Sequence, residues 1–337
     1  MSTQGKMSNK KVLIITHEGD NACVANVTDY IEQIGGNVIR FDVDKYPTTA
    51  SLTSSYNKQE WSVELEGTMA QLLDDNLTGV WYRRSHYIGR NLKNLIHDAY
   101  LPATLGEVKR TLYGMVESLP CFQMERYSTY RRLDSKEEQL KIAHKCGMQI
   151  PATCISNSPQ KIKEFMQQVG GEFVAKMQSS FAIVKDNIEQ VVFTTLLDPE
   201  DIEQLEDIQY CPMIFQEKIE KKLELRVTIV GYEFFAFSID SQKQEDTKID
   251  WRKDGLSLIN EWKPFQLPER IKKSLTLLMD YYQLNYGAID LIVTPDDEYY
   301  FLEINPAGEY FWLDQMCGHA ISQQIAKVLI GAALRRE

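Results

Sequence analysis

Four apolar residues in a row, Val12-Leu-Ile-Ile15, closed by Thr16, read as a short strand buried on both faces. An amphipathic stretch over residues 22–34 follows and stops at Gly35-Gly36. A second apolar run, Val38-Ile-Arg-Phe-Asp42, comes next. This strand–helix–strand opening predicts an α/β amino-terminal lobe. Alternation in Trp61-Ser-Val-Glu-Leu-Glu66 and the run Gly79-Val-Trp-Tyr82 predict further strands, the last ending at Arg83-Arg84. A helix over 104–118 closes the lobe. No GxGxxG follows the first strand, so a dinucleotide-binding reading has no support.

A well-punctuated helix comes next. Asp134 or Ser135 can cap its start and Gly147 can end it. Strands are expected at 150–155, 172–177 and 191–195, with a helix opened by Ser158-Pro159. The acidic stretch 198–207 is expected to be one helix with proline in its first turn. Beyond it, strands at 213–217, 223–230 and 234–239 and helices over 268–282 and 320–334 form a third unit. The resulting division is a loose tail over 1–10, then lobes over 11–125, 126–210 and 211–337.

The segment Gly287–Pro306 carries the most chemistry. Two apolar runs flank Pro295-Asp-Asp-Glu298, the pattern of a β-hairpin. With the turn centred on Asp296-Asp297, Asp290 lies opposite Glu303, and Asn305 falls on the same face as Glu303. Two carboxylates facing each other within apolar strands repel and lose hydration. A hard divalent cation with oxygen ligands removes the conflict, and Mg²⁺ is the usual choice where phosphates complete the shell. The alternative is a solvated hairpin face.

Composition narrows the classes. The chain has 337 residues, 43% of them apolar, enough for real cores and for two or three lobes. A formal charge of −11 argues against a general nucleic-acid binder. Six cysteines, at 23, 121, 146, 154, 211 and 317, form no CxxC pair and read as reduced thiols of a cytoplasmic protein. The polar start lacks the apolar core of a signal peptide, and no stretch approaches a membrane span.

Three cations gain meaning beside the hairpin. Lys136 starts its helix, at the wrong end of the macrodipole for a cation. A bound anion would explain it; so would Glu137 and Glu138. Lys176 is the one charge in Phe-Val-Ala-Lys-Met, facing either water or a partner. Arg226 and Glu224 share the strand Leu223–Val230 and are assigned to opposite faces; Arg226 can clamp a phosphate and Glu224 can accept from a ribose hydroxyl. Together with Asp290, Glu303 and Asn305 they supply the parts of an ATP site.

The strings that carry a family resemblance are Leu133-Asp-Ser-Lys136, Val174-Ala-Lys-Met177, Cys211-Pro-Met-Ile-Phe-Gln-Glu217, Leu223-Glu-Leu-Arg-Val227, Asp250-Trp-Arg252, Asn285-Tyr-Gly-Ala-Ile-Asp290 and Phe301-Leu-Glu-Ile-Asn-Pro-Ala-Gly-Glu309. By these the chain resembles the ATP-grasp ligases, and among them the microviridin-type graspetide synthetases, which macrocyclise ribosomal peptides. The resemblance leans to the ester-forming members. It implies a mixed α/β, three-lobed ATP-grasp fold in which a pre-ATP-grasp lobe precedes central and C-terminal lobes gripping ATP and two Mg²⁺ ions. It further implies that Lys136, Lys176 and Arg226 contact phosphates, and that Glu217 with the backbone of Lys218 and Ile219 reads adenine. Glu224 would meet the ribose, and Asp290, Glu303 and Asn305 the metal.

The implied reaction phosphorylates an Asp or Glu side chain of a precursor peptide. A Thr or Ser hydroxyl then closes an ester, whereas a Lys amine would close an amide. A rival reading joins small amino acids or peptides instead. Arg252 is assigned to the acidic substrate or its acyl phosphate, against a surface ion pair with Asp250 or Asp254. Glu200, Asp201 and Gln204 would share a helical face that binds the leader peptide, against a plain solvated face. The resemblance also implies a homodimer. Arg83-Arg84 face either substrate carboxylates or a lobe interface, and Tyr310-Phe-Trp312 read as core. His17, His86, His97, His144 and His319 lie too far apart for a triad or zinc spacing.

Overall fold

The structure, a computed structural model, describes residues 10–65, 70–71, 76–85, 87–179, 182–185, 188–243, 247–254 and 258–336. His86, most of the expected 1–10 tail and the middle of the 242–248 loop lie outside the described residues.

The first unit runs β1 (Lys11–Thr16), α1 (Cys23–Gln33), β2 (Asn37–Asp42), β3 (Leu52–Tyr56), β4 (Trp61–Leu65), β5 (Ala70–Gln71), β6 (Leu77–Tyr82), α2 (Leu101–Ser118) and β7 (Phe122–Met124). Strands β2-β1-β6-β7 form a parallel sheet, and β3-β4-β5 a small antiparallel one. The continuous apolar run of β1 has a direct cause. Val12 and Ile14 enter one core with α1, while Leu13 and Ile15 enter a second with Leu112 and Val116 of α2. Helix α1 stops where Gly35 takes φ +88°, as the paired glycines predict.

The middle unit contains α3 (Tyr127–Leu133), α4 (Lys136–Lys145), β8 (Thr153–Ser156), α5 (Pro159–Val169), β9 (Phe173–Lys176), β10 (Ala182–Lys185), β11 (Ile188–Val191), β12 (Thr195–Leu196), α6 (Pro199–Glu203) and β13 (Met213–Glu217). The sheet order is β12-β9-β13-β8, with β10 and β11 as a separate hairpin. Two expectations change. Strand β13, assigned by sequence to the third unit, pairs with β8 and β9, because its Ile214 and Phe215 bury against those strands. The acidic stretch is not one helix. It is the five-residue α6 followed by a 3₁₀ turn at Glu206–Tyr210, which lets Leu205 and Ile208 reach the small core under α5.

The last unit has β14 (Leu223–Val230), β15 (Glu233–Ile239), β16 (Lys263–Pro264), α7 (Glu269–Tyr282), β17 (Tyr286–Val293), β18 (Tyr299–Asn305), α8 (Phe311–Met316) and α9 (Ala320–Leu329). The strands form one antiparallel sheet, β16-β15-β14-β17-β18. Leu225, Val227 and Ile229 of β14 face a core shared with α4 and α7. Glu224 and Arg226 therefore share the other face. Assigning them to opposite faces was wrong, since residues two apart in a strand point the same way.

The units are not independent bodies. Ile321, Ile325, Val328 and Leu329 of α9 pack with Val24, Val27 and Ile31 of α1 in one core. Gly79 of β6 lets that helix end approach: a Cβ there would lie 2.5 Å from the Leu329 carbonyl oxygen. A polar tie joins the same units. Glu125, 2% exposed, accepts the backbone N–H groups of Asn285 (2.7 Å) and Tyr286 (2.6 Å).

Burial pushes the Glu125 carboxyl up to about 8 against the pull of those two donors and of Arg336. An unfolded chain ionises this group near its ordinary 4.5, while the folded chain keeps the proton to about 8. Stability therefore falls as pH rises through that window. Glu125→Gln keeps an acceptor and removes the titration, so thermal unfolding of the variant should lose pH dependence between the same limits. Parallel melting curves for both proteins across that range would refute the assignment.

Candidate ATP and metal site

A cavity of about 1090 Å³ lies between the middle sheet and the antiparallel sheet of the last unit. Its walls include Lys136, Lys176, Glu217, Glu224, Arg252, Asp290, Glu303 and Asn305. Residues from α4, β9, β13, β14 and the β17–β18 hairpin thus converge, as the sequence reading required.

The hairpin pairs Asp290 with Glu303, but by a different route from a plain turn. From the turn inward the ladder runs Val293–Tyr299, Ile292–Tyr300 and Leu291–Phe301, and it shifts before Asp290–Glu303. Without that bulge Asp290 would oppose Leu302, and Glu303 would follow Phe301 onto the apolar face with α7. The extra residue flips the register and turns Glu303 to the cavity.

The two carboxylates have separate counter-charges. Arg226 donates to Asp290 at 2.7 Å, and through its other terminal nitrogen to the Glu309 carbonyl at 3.0 Å. Lys136 donates to Glu303 at 2.7 Å. This ion pair, rather than Glu137 or Glu138, occupies the lysine at the start of α4, where Ser135 is the cap. Burial alone would raise the Glu303 carboxyl; Lys136, then Lys176 and Arg252, instead hold it down to about 2. Lys176 differs from both. It has no ion-pair partner among the described residues, and burial, with Lys136 and Arg252 adding to it against the pull of Glu303, lowers its ammonium. An unpaired, desolvated cation beside two others is the environment of an anion site.

Arg226 is 9% exposed and sits behind Asp290 rather than on the cavity wall. Glu224, 8% exposed, is bound by Lys221 (3.0 Å) and Ser241 (2.6 Å), and burial raises its carboxyl in spite of them. Arg252 makes the alternative ion pair with Asp250, two-pronged at 2.8 and 2.7 Å, between an exposed arginine side chain and a buried carboxylate. Asp250 is 4% exposed and also accepts the Thr194 N–H, while the guanidinium reaches the cavity. The side chain of Asp254, the other partner considered, lies outside the described residues; Asp250 is the anchor.

Glu217, Lys218 and Ile219 form the cavity edge where the chain leaves β13. Glu200, Asp201 and Gln204 are exposed and away from the cavity wall. They do not share a full helical face, because α6 ends at Glu203 and Gln204 is its cap. Asp201 closes a capping box with Asp198, and Gln204 donates to Glu200 at 3.2 Å.

Sequence reading missed Gln139 and Lys221. Gln139, 1% exposed, accepts the Ile304 N–H at 3.0 Å and so fixes the strand that carries Glu303 and Asn305. A buried polar residue at mid-helix is the signal, visible only once the apolar face of α4 is known. Arg83 and Arg84 meet Glu309 across the unit boundary, which settles them as interface residues. Tyr310 and Trp312 are core. His97 and His144 are exposed, His17 packs edge-on against Tyr87, and His319 pairs with Asp314. Among the described residues no three or more His, Cys, Asp or Glu could hold a metal by themselves. The Asp290/Glu303/Asn305 set has two carboxylates and an amide, an all-oxygen group suited to an ion that phosphates also bind. No described helix is long and apolar enough to cross a membrane.

Comparison with known proteins agrees with this fold. A family model described as the MvdD pre-ATP grasp domain matches residues 11–131. Among curated proteins nothing matches. A solved RiPP-associated ATP-grasp ligase from Chryseobacterium gregarium, in complex with ADP and a leader and core peptide, is 47% identical. The match covers 97% of this chain and 98% of that one, with a TM-score of 0.93. The macrocyclase MdnC from Microcystis aeruginosa MRC, bound with precursor peptide MdnA, is 39% identical over 96% and 100% of the two chains, with a TM-score of 0.84. The macrocyclase MdnB from the same organism is 30% identical over 95% and 99%, with a TM-score of 0.77.

Lys136→Met removes the strongest counter-charge on Glu303. A depressed carboxyl stabilises the fold above its ordinary 4.5 and loses that contribution as pH falls towards 2. Carboxyl-carbon NMR titration of the variant should find Glu303 titrating at higher pH, with acid unfolding moved the same way. If Glu303 still titrates near 2, Lys176 and Arg252 suffice and the pairing is incidental.

Proposed function

The chain belongs to the microviridin-type graspetide synthetases, ATP-grasp ligases acting on ribosomally made peptides, and on that premise we propose that it closes ester rings in a precursor peptide using ATP. The observation that carries this reading is Lys176, which has no ion-pair partner among the described residues, in a cavity that also presents Lys136, Arg252 and the Asp290/Glu303/Asn305 oxygens. Positive charge without a protein partner, set beside an all-oxygen metal set, suits a nucleotide triphosphate better than any neutral ligand. The C. gregarium ligase, in complex with ADP and a leader and core peptide, supports the same ligand classes here.

In this reading Asp290, Glu303 and Asn305 hold two Mg²⁺ ions. The ions, when bound, neutralise phosphate charge. Glu303 suits that task because its neighbours keep it ionised. Glu217, with the Lys218–Ile219 backbone, reads the adenine edge, and Glu224 meets the ribose once Lys221 and Ser241 share it. A peptide Asp or Glu oxygen attacks the γ-phosphorus, forming an acyl phosphate as ADP leaves. A Thr or Ser hydroxyl then attacks the acyl carbon; its proton leaves with inorganic phosphate and an ester remains. Lys136 and Lys176 spread the charge on the transferring group, Arg226 supports Asp290 from behind, and Arg252, aimed by Asp250, holds the substrate carboxylate or its acyl phosphate. The enzyme works in the cytoplasm as a homodimer.

Glu200, Asp201 and Gln204 provide a solvent-facing acidic patch for a cationic leader segment. Glu200→Gln with Asp201→Asn keeps an oxygen for the α6 capping box while removing both charges. Leader affinity, read by fluorescence anisotropy, should fall about tenfold or more, the worth of one or two charge-assisted contacts. Unchanged affinity would remove leader binding from this patch.

Incubation of the protein with ATP, Mg²⁺ and a precursor peptide rich in Thr/Ser and Asp/Glu should release ADP and give products each lighter by one water. Mild alkali should restore the starting mass. Rings that resist alkali would mean amides formed by Lys. ADP release only with a free amino acid would mean a small-substrate ligase. Arg252→Ala should cut turnover about 10²-fold or more with folding intact; activity within twofold of the parent would strip Arg252 of its role.

A further inference from the structure

The loop after Asn305 is held in an unusual way. Three of its four carbonyls each accept from a side chain of a different element. Ala307 O accepts from Arg83 (3.2 Å), Gly308 O from Tyr286 (2.6 Å) and Glu309 O from Arg226 (3.0 Å), while the one Tyr130 hydroxyl proton goes to Tyr82 O (2.6 Å), with Pro306 O 3.3 Å away. The other terminal nitrogen of Arg83 donates to both oxygens of the Glu309 carboxylate, at 3.0 and 2.9 Å. Asn21 (2.8 Å) and Arg84 bind the same carboxylate. Gly308 leaves no slack, since a Cβ there would lie 2.4 Å from the Ala288 Cβ and 2.8 Å from an Arg226 nitrogen.

Arg83 is 2% exposed, at the carboxyl end of β6 in the first unit, with Trp81 and Tyr310 rings near its guanidinium. A buried guanidinium is costly, and here its hydrogen bonds go to this one loop. The loop in turn fixes two parts of the cavity site. Asn305 is its anchor residue, and the Glu309 carbonyl holds the Arg226 nitrogen that leaves the other free for Asp290.

Resting on the nucleotide–metal reading above, we propose that Arg83 is a positioning residue for the metal end of the site: it locks the 306–309 loop so that Arg226 and Asn305 keep their places around Asp290. The amino-terminal unit thereby acts on the metal end without touching the cavity. Arg83 is absent from the cavity wall, so its effect on the site passes through the loop; its other charged contact, buried Asp20 at 3.9 Å, lies within the amino-terminal unit.

The test separates the two ends of the nucleotide site. ADP affinity is measured by calorimetry with and without Mg²⁺ on the full chain, its Arg83→Gln and Arg83→Lys variants, Glu309→Gln, and the Arg83→Gln/Glu309→Gln double variant. Arg83→Gln should lose about tenfold or more of the Mg²⁺-dependent gain in ADP affinity, the usual cost of an outer-shell partner. Mg²⁺-free ADP binding should stay within about twofold, because the adenine edge is untouched. Arg83→Lys, a point charge without the fork, should fall between. The double variant should lose no more than the worse single one, as expected for partners in one contact. A folded Arg83→Gln with the parent's Mg²⁺ gain overturns the proposal, as does a parallel loss with and without Mg²⁺. Should Arg83→Gln not fold, Arg83→Lys and Glu309→Gln carry the same readout. A parent protein without any Mg²⁺-dependent gain would sink the nucleotide reading itself, and this proposal with it.

Discussion

Asp290 and Glu303 face each other across neighbouring antiparallel strands, in a sheet whose opposite face is a closed apolar core. Two like charges at that separation, half removed from water, are tolerated only if cations come to them. Much of the molecule can be read as supplying those cations. Arg226 arrives from the adjacent strand β14 and Lys136 from the first turn of α4. Arg252 comes from a 3₁₀ turn held by buried Asp250, and Lys176 from β9 of the middle sheet. No single unit owns the set, so the site exists only when the units are assembled.

The assembly is secured by shared cores more than by ion pairs. Helix α9, last in the chain, packs on α1, first in the chain, and its end lies so close to β6 that Gly79 admits no side chain. Apolar contact of this kind holds the units at fixed spacing, which polar contacts at the boundary then refine. Glu125 and Arg83 are such contacts. Both are nearly inaccessible, and both bind backbone atoms of the last unit, Arg83 gripping the Glu309 carboxylate as well. Backbone targets transmit position, since moving them moves the strand or loop that carries the site residues.

The β-bulge beside Leu302 has the same logic at smaller scale. One inserted residue separates the apolar half of β18, which lines the core with α7, from its polar end, which lines the cavity. A regular strand could not place Phe301, Glu303 and Ile304 as they are, because alternation would send Phe301 and Glu303 to one face. The bulge therefore reconciles a packed core with a charged site on one short strand.

Local pattern was enough to determine much of this. The buried run of β1, the cap and first turn of α4, strand β14 residue for residue and the existence of the hairpin follow from periodicity, capping chemistry and turn residues. The Asp290–Glu303 pairing and the family strings pointed to a metal–phosphate site for the same reason: oxygen ligands and cations within apolar strands have few other uses. What sequence could not fix depended on partners far along the chain. Splitting Glu224 and Arg226 between faces only broke the period-two rule; pattern itself put β13 in the wrong sheet, and it drew the acidic stretch as one helix where Leu205 and Ile208 needed a break to reach their core. It could not see that Asp250 is buried beneath Arg252, that Gln139 pins Ile304, or that Arg83 grips the loop after Asn305. Each of these is a contact between residues tens to hundreds of positions apart or a choice between two burial faces, and only the packed chain decides which face is inside.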